Sequence, residues 1–272
     1  MIIQEILSKK EKYKEQLAES AEFLRGGSGK RVRSILFYMF SDLQKLTKKH
    51  HETVGLIETI HNASIMHDDV IDMNTTRRGK DSLYGSNGAK IGILTGDFLV
   101  IKAMKRFLEL HRNDAFAQKY LMRECHATAY GALSEQNLNQ YTELPCVEKY
   151  LRMCSIKTSP LFKLSCLLGA HMSGKSFEEC KKAAMFGVRF GVLYQIQNDL
   201  DSYSVSNYRA SEDYMQKNIT LPIIILCQEF RFSLMEFKTS FNQEYFEKIK
   251  KAINSEDFQE RLRKYTTKYE RH

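Results

Sequence analysis

His67-Asp68-Asp69-Val70-Ile71-Asp72, followed by Arg77-Arg78-Gly79, sets three carboxylates and then two guanidiniums at the end of an apolar, proline-free segment. That spacing suits metal-bridged diphosphate chemistry. Helical residues four apart share a side, so Asp68 and Asp72 point together with Asp69 beside them. Carboxylates this close repel one another unless a cation is among them. Mg²⁺ is the natural occupant, because it takes oxygen ligands, keeps several waters and is commonly completed by substrate phosphates. Arginine forks bind phosphate oxygens through paired hydrogen bonds, while the metal takes other oxygens of the same group. Alone, an Asp-Asp-x-x-Asp string describes a solvated acidic helix end equally well. The flanks reverse that reading. Ile57, Ile60, Ala63, Ile65 and Met66 carry the pattern of a buried helix, so the acidic residues end a core helix, and Asn74-Thr75-Thr76 delivers the arginines on a loop.

The stretch from Gly191 to Ser202 repeats this logic. Gln195, Asn198, Asp199 and Ser202 fall at i, i+3, i+4 and i+7, one polar stripe at the end of an apolar helix. A facing pair of such helices could hold metal ions and a diphosphate between them, above a dry cavity.

The elements that must position these groups read as helices over 2–24, 30–46, 51–73, 88–111, 114–139, 147–171, 177–203 and 211–229, with one or more from 232 to the end. Gly26-Gly27-Ser28-Gly29 separates the first two. Ser176-Phe177-Glu178-Glu179 has capping-box form and predicts a helix start leading into the second polar stripe. Pro160 inside the 147–171 span predicts a kink that turns Lys157 and Thr158 toward a cavity, since a proline releases the carbonyl four residues earlier.

The chain has 272 residues, 43% of them hydrophobic, enough for a sizeable core, and no linker argues for two domains. Only 3 prolines and 14 glycines occur, and Leu, Lys, Glu, Ala and Met recur at helical spacing, which predicts an all-α chain. The six cysteines show neither metal-ligand spacing nor a secreted framework and read as reduced thiols. The apolar run at Met1–Leu7 is too short for a signal sequence and no segment is long enough to span a membrane, so the expected compartment is cytoplasmic. The net charge of +8 is spread along the chain, including Lys48-Lys49, Lys248, Lys250 and Lys251, as a solvated helical surface would carry it, and no nucleic-acid partner is expected.

The two polar stretches, with Gly29-Lys30-Arg31-Val32-Arg33 before them, Gly96-Asp97-Phe98 and Lys157-Thr158 between, and Thr220-Leu221-Pro222 after, resemble the trans-polyprenyl diphosphate synthases in order and spacing over nearly the whole chain. The resemblance implies an all-α isoprenoid synthase fold, one domain over residues 1–272 built as a single large helical bundle around a central cavity, and a homodimer. It implies that Lys30, Arg33, His61 and Arg78 hold the diphosphate of isopentenyl diphosphate. Asp68 and Asp72 would bind Mg²⁺ bridging the allylic diphosphate, assisted by Asp69, with Asp199 a further metal ligand. Arg77, Lys157, Thr158 and Gln195 would contact that diphosphate or the cation formed, with Lys217 a further substrate contact. The implied reaction is a prenyl transfer: an allylic diphosphate ionises, isopentenyl diphosphate attacks the cation, and a proton leaves to diphosphate with help from Thr158 or Gln195. Product length is set in this family just upstream of the first acidic motif. Ala63 and Ser64 there are small, which implies a medium or long all-trans chain for quinone side chains, octaprenyl diphosphate being the expected product and farnesyl diphosphate the expected primer. At about 0.8 kcal/mol per buried methylene, a long product leaves slowly and is expected to need a membrane or detergent.

The chain also departs from the family pattern. Asn198 replaces the first carboxylate of the second motif and Ser202 the third. The family's Gly-Lys before Thr-Leu-Pro stands as Lys217-Asn218, and moving a lysine by one residue turns its direction by roughly 100°. The loop from Tyr203 to Glu212 is shortened, with Arg209 as its nearest cation. Two further readings remain beside the long-chain synthase. One is a farnesyl or geranylgeranyl diphosphate synthase; the other is a non-catalytic subunit of a two-component synthase, which the intact first motif disfavours. A terpene cyclase ranks third, since it would not need Lys30, Arg33 and Arg78 for a second diphosphate.

Overall fold

The computed structural model describes residues 2–21, 29–77, 79–139 and 144–270, with the backbone alone at 137–139. Arg78, Gly26, Gly27, Ser28 and the 22–24 end of the expected first helix lie outside the described residues. Among the described residues there are fourteen helices, two 3₁₀ turns and one two-stranded ribbon. The helices are α1 (Ile2–Ser8), α2 (Lys14–Ala21), α3 (Val32–Phe40), α4 (Lys48–Ile71), α5 (Leu83–Leu110), α6 (Ala115–Asn139), α7 (Val147–Lys157), α8 (Ser159–Met172), α9 (Phe177–Asp201), α10 (Glu212–Gln216), α11 (Leu221–Glu229), α12 (Leu234–Thr239), α13 (Gln243–Ile253) and α14 (Glu256–Glu270). The all-α expectation holds.

Several boundaries differ from the sequence reading, each for a local reason. The expected 147–171 helix is two helices, because Pro160 is in the first turn of α8, where a missing N–H costs nothing, and so opens a helix instead of kinking one. The expected 211–229 helix is likewise two. Lys217 adopts the left-handed conformation (φ 58°, ψ 35°) that ends α10, and Pro222 lies at the start of α11. Helix α5 begins at Leu83, five residues before the expected start, and breaks at Gly88 (φ 79°, ψ 172°). The capping box forms as read: the Ser176 N–H and hydroxyl donate to Glu179 Oε2 at 2.9 and 2.8 Å, and the Glu179 N–H donates to Ser176 Oγ at 3.3 Å.

The chain divides into two compact units. Unit 1 holds Met1–Cys125 and Leu161–Gly187; unit 2 holds His126–Pro160 and Val188–His272. In unit 1, α4 is buried on every side from His50 to Ile60 and turns half-exposed only in its last turns. Two glycines of α5 let it approach the acidic end of α4: a Cβ on Gly92 would fall 2.7 Å from Val70 Cγ2, and one on Gly96 would fall 2.3 Å from His67 Nε2. In unit 2, α13 buries Tyr245, Phe246, Ile249 and Ile253, one stripe at helical spacing. This face joins Tyr214, Phe237 and Phe258 in an aromatic core, with the Tyr214 and Phe246 ring centroids 5.2 Å apart. Two glycines pinch the α7–α8 junction in unit 2. A Cβ on Gly131 of α6 would lie 2.4 Å from Lys157 Cα, and one on Gly191 of α9 would lie 2.6 Å from Ser159 Cα. The junction that carries Lys157 and Thr158 is therefore held by backbone contact on two sides.

Candidate active site

In unit 1 the acidic motif is a helix terminus. Met73 takes the left-handed conformation (φ 51°), the Asn74 N–H donates to Asp69 O at 2.8 Å, and the Met73 N–H donates to Val70 O at 3.3 Å. These are the two bonds of a Schellman motif, which fixes the last turn and with it the directions of Asp68, Asp69 and Asp72. The chain then forms a short ribbon pairing Thr76 with Asp81 and Arg77 with Lys80. That ribbon returns Arg77 to the helix, where its Nε donates to Asp69 Oδ1 at 2.6 Å. Asp69 is 4% exposed, so its charge is neutralised by the arginine in a place water does not reach. Asp68 and Asp72 remain half-buried. His67 lies across Gly96 with its Nε2 3.1 Å from Asp97 Oδ1 and 3.2 Å from Ile93 O.

The second polar stripe lies in unit 2 and is differently built. Asp199 is 1% exposed. Its Oδ1 accepts from Gln195 Nε2 at 2.9 Å, and its Oδ2 accepts from the Tyr150 hydroxyl and, at 3.4 Å, from the Leu221 N–H. Gln195 Oε1 in turn accepts from the Thr158 hydroxyl at 2.8 Å. Lys157 Nζ pairs with Glu135. Asp213, half-buried, accepts from Asn218 Nδ2 at 3.1 Å. Glu135, Tyr150, Gln195, Asp199, Asp213 and Asn218 line a partly open pocket. Burial pushes the carboxyls of both Asp199 and Asp213 well above the usual carboxylate range, the Asp213 charge adding to the effect on Asp199; the donors on each work against this without overcoming it.

The expected site residues thus fall into groups. Asp69 and Arg77 meet each other, and Thr158, Gln195 and Asp199 form a chain. Lys30 is exposed ahead of α3, and His61 is half-buried on α4. Arg33 is buried, its guanidinium 4.2 Å over the Phe162 ring. Ala63 is 0% exposed, and the Ser64 hydroxyl donates to His61 O at 2.8 Å. Arg78 lies outside the described residues. Lys217 needs correction as a substrate contact. It is 7% exposed, its Nζ lies 3.7 Å from the Tyr214 ring centroid and 4.0 Å from that of Phe241, and it donates to Ser240 O. The left-handed backbone at 217 turns the side chain into this aromatic cage, and burial lowers its pKa to about 8. The sequence reading missed Tyr150, Glu135 and Asp213, which only the packing of α7, α6 and α10 brings to α9.

Metal capacity separates the two places. Asp68 and Asp72 offer two reachable carboxylates four residues apart, and among the described residues no three His, Cys, Asp or Glu side chains converge as a closed cage. That fits an ion which takes its remaining ligands from water and phosphate, as Mg²⁺ does. At the second place Asn198 and Ser202 are neutral and the Asp199 oxygens are already engaged by donors, a set that does not fit a metal.

A family model described as "Polyprenyl synthetase" matches residues 14–255. Solanesyl-diphosphate synthase 2, chloroplastic, of Oryza sativa subsp. japonica is 28% identical over 227 residues, covering 78% of this chain and 55% of its own length. Heptaprenyl diphosphate synthase component 2 of Bacillus subtilis (strain 168) is 30% identical over 250 residues, covering 89% of this chain and 70% of its own. The chain thus spans little more than half of the rice relative. In structure, the polyprenyl synthase of Caulobacter crescentus CB15 complexed with calcium and isoprenyl diphosphate superposes with a TM-score of 0.81 at 20% identity, over 97% of this chain and 88% of that one. The fold is the all-α isoprenoid synthase fold. The chain belongs to the polyprenyl synthetase family.

Proposed function

We propose that residues 1–272 act as one domain, a Mg²⁺-dependent trans-prenyltransferase that condenses isopentenyl diphosphate with an allylic diphosphate. The observation that carries this is the Schellman-terminated end of α4, where Asp68 and Asp72 stay reachable while Arg77 neutralises Asp69. Asp68 and Asp72 would hold the metal, which supplies Lewis-acid stabilisation of the departing diphosphate. Arg77 keeps those two carboxylates in register through Asp69. Thr158 spends its hydrogen on Gln195, so what it presents to a substrate is lone pairs. Lone pairs repel a diphosphate and attract the allylic cation, which assigns Thr158 to the cation or to the departing proton. Lys157, Lys30, Arg33, His61 and Arg78 are retained as diphosphate contacts on the family resemblance.

The proposed product is a medium- or long-chain polyprenyl diphosphate, octaprenyl being our single proposal, with Ala63 and Ser64 as the chain-length positions on the family resemblance. Farnesyl diphosphate is the proposed primer and a quinone side chain the proposed use. A homodimer is supported by the exposed apolar stripe Ile91, Leu94, Phe98 and Ile101 along α5. No described helix is long and apolar enough to cross a membrane and all six cysteines are free, and we place the enzyme in the cytoplasm with its product handed to a membrane. The second reading is a subunit of a two-component synthase, favoured by the Bacillus relative's name and by neutral Asn198, Ser202 and Asn218.

The test is to incubate the purified chain with Mg²⁺, farnesyl diphosphate, radiolabelled isopentenyl diphosphate and detergent, then dephosphorylate and resolve the products by length. The expected result is a ladder ending near eight units, shortened by Ser64→Phe. No incorporation by the chain alone would defeat the self-sufficient enzyme and promote the two-component reading.

A further inference from the structure

We infer that Asp199 is a positioning residue and not a metal ligand: its carboxylate fixes the amide of Gln195 and, through that amide, the direction in which Thr158 presents its oxygen.

Three donors point hydrogens at Asp199, from Tyr150, Gln195 and Leu221. Two of them fall on Oδ2 and one on Oδ1, so three of the roughly four lone-pair sites of the carboxylate are taken and little is left for a divalent cation. On the stripe Asn198 is neutral and Ser202 Oγ is 3.0 Å from Ser211 Oγ, and of the other carboxylates at the pocket Glu135 pairs with Lys157 and Asp213 accepts from Asn218. The same pattern holds in unit 1. Asp69, the middle carboxylate of the first motif, is likewise buried and clamped, there by Arg77.

The direction of the chain follows from the inventory of donors and acceptors. An acceptor at Asp199 Oδ1 forces Gln195 to turn its NH₂ that way and its oxygen toward Thr158. Thr158 must then donate to Gln195, which leaves its lone pairs as the outward face. Asparagine at 199 can donate, which lets the Gln195 amide reverse and the Thr158 hydrogen swing outward. Asp199 therefore sets the polarity of a group 2.8 Å beyond its own partner.

The experiment uses the full chain and two readouts. Manganese replaces magnesium as the probe, and bound Mn²⁺ per chain is counted by paramagnetic resonance in the wild type, Asp199→Asn and Tyr150→Phe. The expected count is the same in all three. A drop in Asp199→Asn, or a rise in Tyr150→Phe as an oxygen is freed, overturns the inference. The second readout rests on the transferase reading above. Asp199→Asn should lower kcat by about 10- to 100-fold with both KM values within about twofold, as misdirection of a positioned group does. Thr158→Val should cost a similar factor, and the double variant little more, because the two act in series. Additive losses overturn the coupling. A wild type that makes no product defeats the transferase reading, while the manganese count still decides Asp199. If Asp199→Asn does not fold, Gln195→Met takes its place in the kinetic arm with the same expected loss.

Discussion

At the end of α4, Asp68 and Asp72 stay half-buried while Asp69 is closed off under Arg77; at the end of α9, Asp199 is closed off under three donors while Asn198 and Ser202 stay half-buried. Position by position the two ends share one plan: a middle carboxylate spent on structure and an outer pair, four residues apart, left reachable. They differ in how the middle charge is satisfied and in what the outer pair is. An arginine neutralises Asp69 outright, whereas the donors around Asp199 are neutral, and burial with the Asp213 charge pushes its carboxyl up to about 8. An outer pair of carboxylates can recruit a cation, whereas an amide and a hydroxyl cannot replace one. On the inference drawn for Asp199, metal capacity in this chain is decided by the outer positions, and the aspartate common to both motifs says little about it.

The largest effect should come from breaking the first outer pair. Asp68→Asn with Asp72→Asn should lower kcat/KM by at least about 100-fold, the order expected when transition-state charge loses its preorganised partner. The same variant should bind fewer Mn²⁺ per chain. The reverse change sharpens the comparison. Asn198→Asp with Ser202→Asp copies the outer pair of α4 onto α9, and bound Mn²⁺ should rise by one per chain. An unchanged count would show that the donors around Asp199, and not the neutral outer pair, keep metal away.

The pinch at the α7–α8 junction gives a smaller and more local effect. Gly131→Ala puts a methyl 2.4 Å from Lys157 Cα, where only backbone movement can make room, while Gly92→Ala in unit 1 meets the rotatable Val70 side chain at 2.7 Å. Overpacking costs about 1–3 kcal/mol, so Gly131→Ala should take the upper part of that range and Gly92→Ala the lower, read from denaturant midpoints. Gly131→Ala should also lower kcat, because it moves Lys157 and Thr158, and Gly92→Ala should leave kcat nearer the wild type.

The parts legible in the sequence were those governed by short range. Periodicity located the helices, Ser176 and Glu179 announced a cap, and Asp68 with Asp72 announced a reachable pair because four-residue spacing is itself the geometry. What stayed hidden depended on a distant partner or on one backbone angle. Tyr150 is 49 residues from Asp199, and nothing local marks it as the donor that covers the carboxylate. Lys217 looked like a cation for the site until a left-handed φ of 58° turned it into Tyr214 and Phe241. Pro160 carried the right message, a break near Lys157, with the wrong mechanism, since a first-turn proline starts a helix as readily as an interior one bends it.

Acidity should pull the two units in opposite directions. In unit 1, His111 is fully buried at the end of α5, its Nε2 2.8 Å from Thr53 Oγ1 and its Nδ1 3.5 Å from Asp114 Oδ2. Burial, with help from Lys49, lowers its pKa from the ordinary 6.5 to about 4. A group depressed on folding contributes stability that is present above its unfolded value and is lost as pH falls through the folded one, so unit 1 should weaken between pH 6.5 and about 4. In unit 2, Asp213 and Asp199 are raised from 3.8, chiefly by burial, to about 6 and about 8. Groups raised on folding contribute stability that is complete below the unfolded value and is lost as pH rises through the folded one, so unit 2 should weaken from near pH 4 toward pH 8. Hydrogen exchange followed by peptide, after correction for the intrinsic pH dependence of exchange, separates the units: protection should fall on acidification in α5 and α8, and on alkalinisation in α11 and in α9 from Val188 onward. Asp199→Asn should remove much of the alkaline loss in α9 and leave the acid loss in α5 untouched. Protection that fell in the same direction in both units would mean that a shared charge imbalance, and not these buried groups, governs the response.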